Sequence, residues 1–189
     1  MTRINLTNAP YINTNFIVTQ TFKESHHAID LAPYGGSQPL YAIDNFTVIG
    51  SYPDTAGQTY GNYFIARNNL GMMYLYAHLA SSPPAVGDVF TIHQYVGMAG
   101  MTDGDTHTST GIHLHLEMQQ GTTWNYQAPF YAYTDPTSYL DGIINVVNND
   151  NVYYYDGTPY VPPTDIEPHK FPWFIFDADS DILGGNYIE

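Results

Sequence analysis

Three short segments hold residue types that bind metals and move protons. The run Gly111-Ile112-His113-Leu114-His115-Leu116-Glu117 carries two imidazoles and a carboxylate at two-residue spacing. Side chains alternate along a strand, so His113, His115 and Glu117 would share one face and Ile112, Leu114 and Leu116 the other. The run Ser25-His26-His27-Ala28-Ile29-Asp30 offers an imidazole and a carboxylate four residues apart. Such a pair can converge on one cation, and zinc accepts imidazole nitrogen and carboxylate oxygen in a tetrahedral shell. His26 fits that spacing, and the adjacent His27 is eligible in its place. The third segment, Met73-Tyr74-Leu75-Tyr76-Ala77-His78-Leu79, ends an apolar strand on one histidine. Taken singly, each has a plain structural reading: surface histidines on an edge strand, a turn histidine in water, a core histidine with a satisfied ring.

Composition narrows the chemistry. The chain has no cysteine, so any metal must be held by histidine and carboxylate. Four Lys and Arg stand against 18 Asp and Glu, a formal charge of -14. That balance argues against nucleic acid or an anionic membrane surface as a partner, since both call for basic residues. The opening stretch MTRINLTNAPYINTNF lacks the apolar core of a signal peptide, and no run of about 18 apolar residues suggests membrane insertion.

The elements that must position these residues read as β-structure. With 18 Tyr, 16 Gly and 13 Pro in 189 residues, the chain favours short strands joined by turns. Alternation predicts strands over 16–21, 40–42, 46–51, 63–67, 72–78, 89–93 and 113–118. No segment before residue 135 keeps a helical period for long, and a short helical turn is expected after Pro136. A polar break at Asn148-Asn149-Asp150-Asn151 divides a domain at 11–147 from a Pro- and aromatic-rich C-terminal appendage at 148–189. In that appendage Trp173, Phe174 and Phe176 suggest either a strap on the domain's own surface or a docking arm for another protein.

Taken together, the segments resemble the M23 zinc metallopeptidases, the LytM and lysostaphin type that cut peptidoglycan peptides. A His-x-x-x-Asp motif, a Tyr-x-His-Leu motif and a His-x-His motif occur in the order of that family. Further phrases match it: Ala32-Pro33, Tyr60-Gly61-Asn62, Val86-Gly87-Asp88, Gly97-Met98-Ala99-Gly100, Ser109-Thr110-Gly111 and Asp135-Pro136-Thr137-Ser138-Tyr139-Leu140. The resemblance covers residues 17–140. It implies a mainly β domain, an antiparallel sheet with an open substrate groove. It implies zinc held by His26, Asp30 and His115, with His78 and His113 as the catalytic pair. Glu117 is in phase with the site as a partner for a ligand. His93 is expected in a strand and His107 in a polar loop, both outside the site. Ala28 departs from the family's usual Gly, which would cost stability if the position needed a positive φ or a close backbone approach.

The activity that the resemblance implies is endopeptidase cleavage of peptidoglycan cross-links or stem peptides. A chain of -14 charge would be repelled by anionic wall polymers, and without an export signal a phage virion tail component is expected, tethered to other tail proteins through the appendage. The alternatives are a phage lysin acting at host lysis and a non-catalytic scaffold or structural tail protein on the same fold.

Overall fold

The computed structural model describes residues 10–11, 16–140 and 152–153. In chain order the strands are β1 (Phe16–Gln20), β2 (Ala28–Pro33), β3 (Pro39–Tyr41), β4 (Phe46–Tyr52), β5 (Tyr63–Arg67), β6 (Met72–Ala77), β7 (Val89–Phe90), β8 (Tyr95–Met98), β9 (Leu114–Gln120) and β10 (Val152–Tyr153). Eight of them form one antiparallel sheet in the order β10-β1-β2-β9-β6-β5-β4-β7, and β3 pairs with β8 separately. Helix among the described residues is limited to a 3-10 turn (Phe130–Ala132) and the single turn α1 (Pro136–Tyr139), whose N-terminus is capped by the Asp135 side chain. The architecture is the mainly β one expected, and none of these helices is long and apolar enough to cross a membrane.

The sheet separates two faces by the period of two. One face carries Ile29, Leu31, Phe64, Tyr74, Tyr76, Leu114 and Leu116, all fully buried, and the β3–β8 ribbon seals this main core with Leu40 and Val96. Much of the tyrosine content goes here, as large apolar bodies whose hydroxyls find partners: Tyr76 Oη accepts from the Ile43 N–H at 3.2 Å. The other face is shared. Toward one end Met73, Leu75 and Ile65 are covered by Trp124 and Tyr133 from the segment after β9, and at the other end the histidines gather.

Three departures from alternation have physical reasons. β2, with the sequence AIDLAP, is buried at every position, so it shows no polar side to count. β8 begins inside a turn-rich stretch that masks its short pattern. The strand expected over 89–93 stops at Phe90. There the Asn45 and Gln94 side chains accept from the N–H groups of Ile92 and Thr91, and His93 turns with φ 68°. His93 is therefore a turn residue and not a strand residue. Beyond residue 147, Val152–Tyr153 lies against β1 as its outer neighbour; the rest of 148–189, with Trp173, Phe174 and Phe176, lies outside the described residues.

Candidate active site

Pairing of β2 with β9 and of β9 with β6 sets the centre of the site. Asp30 stands directly opposite His115, and His115 opposite Ala77. Residues directly opposite on an antiparallel pair share a face, and at Ala77 only a methyl group occupies the third position of that row, which leaves the imidazole room. The His115 Nδ1 lies 2.8 Å from Asp30 Oδ1, and its Nε2 lies 3.0 Å from Glu117 Oε1. A carboxylate oxygen only accepts, so without a metal both ring nitrogens donate, and the Nε2 bond to Glu117 orients the ring. Ala28, the departure from the family pattern, sits in β2 opposite Glu117, fully buried and without a positive φ, so alanine carries no left-handed strain there.

His26 reaches the centre from a tight turn. Lys23 and His26 exchange backbone hydrogen bonds at 2.9 and 2.8 Å, and this places the His26 Nε2 3.3 Å from Asp30 Oδ2. Its Nδ1 donates to the Thr21 carbonyl at 3.2 Å. The neighbouring His27 turns away: its ring packs 4.4 Å from that of Tyr133, and its Nε2 meets the Glu24 carbonyl at 3.1 Å. Of the two histidines that spacing left eligible, the structure brings His26 to Asp30.

His78 and His113 complete the cluster, their ring centroids 4.6 Å apart. His78 follows β6 in a left-handed conformation, φ 60°, which is strained for a residue with a side chain. Its surroundings hold it there. The His78 N–H donates to the Tyr60 carbonyl, Leu79 N–H to the Asn62 carbonyl, and the Leu79 carbonyl accepts from both Asn62 Nδ2 and Thr102 Oγ1. Gly61 permits this: it has φ 60°, and a Cβ there would sit 2.1 Å from the Thr102 carbonyl oxygen. The Tyr60-Gly61-Asn62 phrase is thus the scaffold of His78. The His78 Nδ1 donates to the Thr102 carbonyl at 2.7 Å, and the His113 Nδ1 to the Gly111 carbonyl at 2.8 Å. Each ring therefore keeps its Nε2 clear of the backbone, and that of His113 lies 3.8 Å from Asp30 Oδ2. His107 is exposed in its loop.

The electrostatics follow from burial and pairing. Burial alone would raise the Asp30 carboxyl, but the charges of His115 and His113 and hydrogen bonds from His115 and His26 hold it well below the usual carboxylate range. Burial would lower His115, but Asp30 and then Glu117 outweigh it and push the imidazole up to about 10. Burial, with like charge from His113 and His115, brings His78 down to about 3, so it is uncharged at neutral pH.

One partner escaped the sequence reading. The Tyr60 hydroxyl donates to Glu117 Oε1 at 2.7 Å, and the other oxygen, Oε2, is buried without a partner among the described residues. Burial and the Glu117 charge raise the Tyr60 phenol far above its ordinary value, so it stays protonated and donates. Tyr60 is legible in the sequence only as part of a motif phrase.

Two trios have ligand atoms within 4.8 Å of one another: His26, Asp30 and His115, and His78, His113 and His115. Tetrahedral donors about 2.1 Å from zinc stand about 3.4 Å apart, and the 3.3 Å between His26 Nε2 and Asp30 Oδ2 matches that span. The first trio also has the mixed imidazole and carboxylate chemistry of a zinc site, and it leaves His78 and His113 as a facing pair of imidazoles. The donor set fits the metal.

A β-sheet domain with histidines and an aspartate converging over its central strands is the layout of a metallopeptidase. The profile of peptidase family M23 matches residues 24–128, and the chain belongs to that family. No curated protein matches it. Among solved structures, it is similar to the antimicrobial peptidase lysostaphin from Staphylococcus simulans, at 22% identity and TM-score 0.52, over 68% of this chain and 49% of that one. This chain thus spans about half the length of that relative. The catalytic domain of a prophage-encoded M23 protein, EnpA from Enterococcus faecalis, solved as a point mutant, matches at 21% identity and TM-score 0.52, over 68% of this chain and 95% of that one. The SpoIIQ–SpoIIIAH pore-forming complex matches at 19% identity and TM-score 0.51, over 74% and 93%. At these identities the structures show a shared fold.

Proposed function

We propose that the chain is a zinc-dependent endopeptidase that hydrolyses peptide bonds of bacterial peptidoglycan. One observation carries this reading: His26, Asp30 and His115 converge while His78 and His113 face each other beside them, each with its Nδ1 held by a backbone carbonyl. Zinc held by the first three would supply Lewis acidity toward a scissile carbonyl at neutral pH. Asp30 brings the negative charge that offsets the cation. Glu117, fixed by Tyr60, would hold the Nε2 proton of His115, so the proton given up to the metal would be the one on Nδ1. His78 and His113 accept hydrogen bonds or protons at Nε2 from the attacking water, and once protonated either can donate to the oxyanion or the leaving amine. The test is release of new primary amines from purified peptidoglycan, abolished by a chelator and restored by zinc; no release under any metal condition would contradict the reading.

A second reading, a non-catalytic scaffold, is favoured by the likeness to the SpoIIQ–SpoIIIAH pore-forming complex. Against it, all five residues of the proposed machinery are present and assembled. We also place the activity in a phage virion, as a tail component whose 148–189 segment contacts other tail proteins. The -14 charge supports delivery by tethering over free diffusion to an anionic wall. Detection of the chain in purified virions by mass spectrometry tests that placement, and its presence only in the lysate would favour a lysin.

A further inference from the structure

Arg67 and Lys23 are the only Lys or Arg among the described residues. Arg67 lies on β5 opposite Thr47 of β4 and Met73 of β6, on the sheet face that carries His115. Met73 is opposite Gln119, four residues along β9 from His115, so the two regions are separated along the strand by about 13 Å. The Arg67 Nη1 donates to the Thr122 carbonyl at 2.8 Å. The turn that contains Thr122 is pinned in turn to the β5–β6 hairpin, by Gly121 N–H to the Gly71 carbonyl and Gln120 Nε2 to the Leu70 carbonyl, both at 2.8 Å. The guanidinium is therefore held by a braced loop.

Between these two turns lies a cleft of about 490 Å³, lined by Thr47, Ile49, Arg67, Asn69, Gly71 and Thr122 among others. That volume is of the size that holds small ligands. No acidic residue lines it. Although the chain has 18 Asp and Glu, Arg67 makes no ion pair among the described residues. The side chains of Thr47 and Asn69 likewise have no hydrogen-bond partner there and add neutral donors at the same cleft. Asn68, next to Arg67, instead donates to Asp44 Oδ2 at 2.7 Å, and that carboxylate also receives the Tyr74 hydroxyl of the main-core face.

A fixed guanidinium has a planar fork of donors that matches a carboxylate with two parallel hydrogen bonds. One cation in a strongly acidic molecule suits a monoanion better than a phosphate dianion, which the surrounding charge would repel more. We propose that this cleft is a carboxylate-binding site, with Arg67 as the fork and Thr47 and Asn69 as neutral donors, for a ligand bearing a free carboxyl group such as the C-terminal residue of a short peptide. The site stands apart from the histidines and does not depend on the peptidase reading.

The chain has two arginines, Arg3 and Arg67, so a ¹⁵N spectrum of the whole protein has two Nε–Hε signals, and Arg67→Gln assigns them by removing one. Acetyl-D-alanyl-D-alanine, its C-terminal amide and inorganic phosphate are titrated separately. The expected result is a saturable shift of the Arg67 signal with the acid, no shift with the amide, and weaker binding of phosphate. Calorimetry should show the acid bound about tenfold more weakly or worse by Arg67→Gln, with Arg67→Lys between that variant and wild type because it keeps charge and loses the fork. An unmoved Arg67 signal would overturn the proposal. So would equal shifts with acid and amide, phosphate binding as tight as the acid, or wild-type affinity in Arg67→Gln. Binding is read without turnover, so this result and the fate of the peptidase reading are separate.

Discussion

Asp30 and His115, 85 residues apart in sequence, meet directly across the β2–β9 pairing, Oδ1 to Nδ1 at 2.8 Å. With His26 beyond Asp30 and His113 beside it, this contact is the hub of the site. In the metal-free protein it also makes stability depend on pH. His115 has a folded value of about 10 against an ordinary 6.5, so its contribution is fully present below pH 6.5 and is lost as pH rises toward 10. His78, at about 3 against 6.5, acts oppositely: the unfolded chain takes up that proton first, so stability falls as pH drops from 6.5 toward 3. The depressed Asp30 contributes above the ordinary carboxylate range and is lost in stronger acid. Chelated protein should thus melt highest near pH 6.5, and His115→Ala should flatten the alkaline limb. An alkaline limb of wild-type steepness in that variant would show that the pair carries no such charge.

The two adjacent histidines should separate cleanly. His26→Ala should lower zinc content and activity together, by tenfold or more, since losing even an outer partner of a ligand costs about that much. His27→Ala, whose ring packs on Tyr133, should keep its metal. Elemental analysis of the two purified variants checks this, and the opposite pattern would move the ligand by one residue.

Tyr60→Phe deletes one hydroxyl and leaves the aromatic ring. Glu117 Oε1 then keeps only His115 as donor, with Oε2 already unpartnered among the described residues. Zinc affinity should fall by about tenfold, as for other outer-shell losses, while the melting temperature of the chelated protein changes little. Competition with a chromogenic chelator measures the affinity; a wild-type value would remove Tyr60 from the site's support.

His78→Ala should retain zinc and lose about a hundredfold to ten-thousandfold in turnover, the usual range for a positioned acid or base. Gly61→Ala should damage the same function from a distance. Its new Cβ would meet the Thr102 carbonyl at 2.1 Å, displacing the backbone that holds His78. We expect reduced kcat together with a lower melting temperature in Gly61→Ala, and reduced kcat alone in His78→Ala. An unchanged melting temperature in Gly61→Ala would mean that the loop yields easily.

The sequence displays the chemistry more clearly than the pairing that assembles it. His113 and His115 share a face because strands alternate, and Asp30 four residues after His26 is visible as spacing. What no local pattern carries is the β2–β9 register that sets Asp30 against His115, because β2 is buried on both sides and has no alternation to read. The Tyr60 contact with Glu117 spans 57 residues and depends on the Gly61 turn. His93 misleads because Val89 to His93 alternates well, yet side chains of Asn45 and Gln94 capture the backbone first.

The most direct test is zinc stoichiometry and peptidoglycan cleavage measured on the same preparations of wild type, Asp30→Ala and His113→Ala. The account predicts one zinc with cleavage, no zinc without cleavage, and one zinc without cleavage, in that order. Stoichiometric zinc in Asp30→Ala, loss of zinc in His113→Ala, or a zinc-loaded wild type that releases no peptide would contradict it.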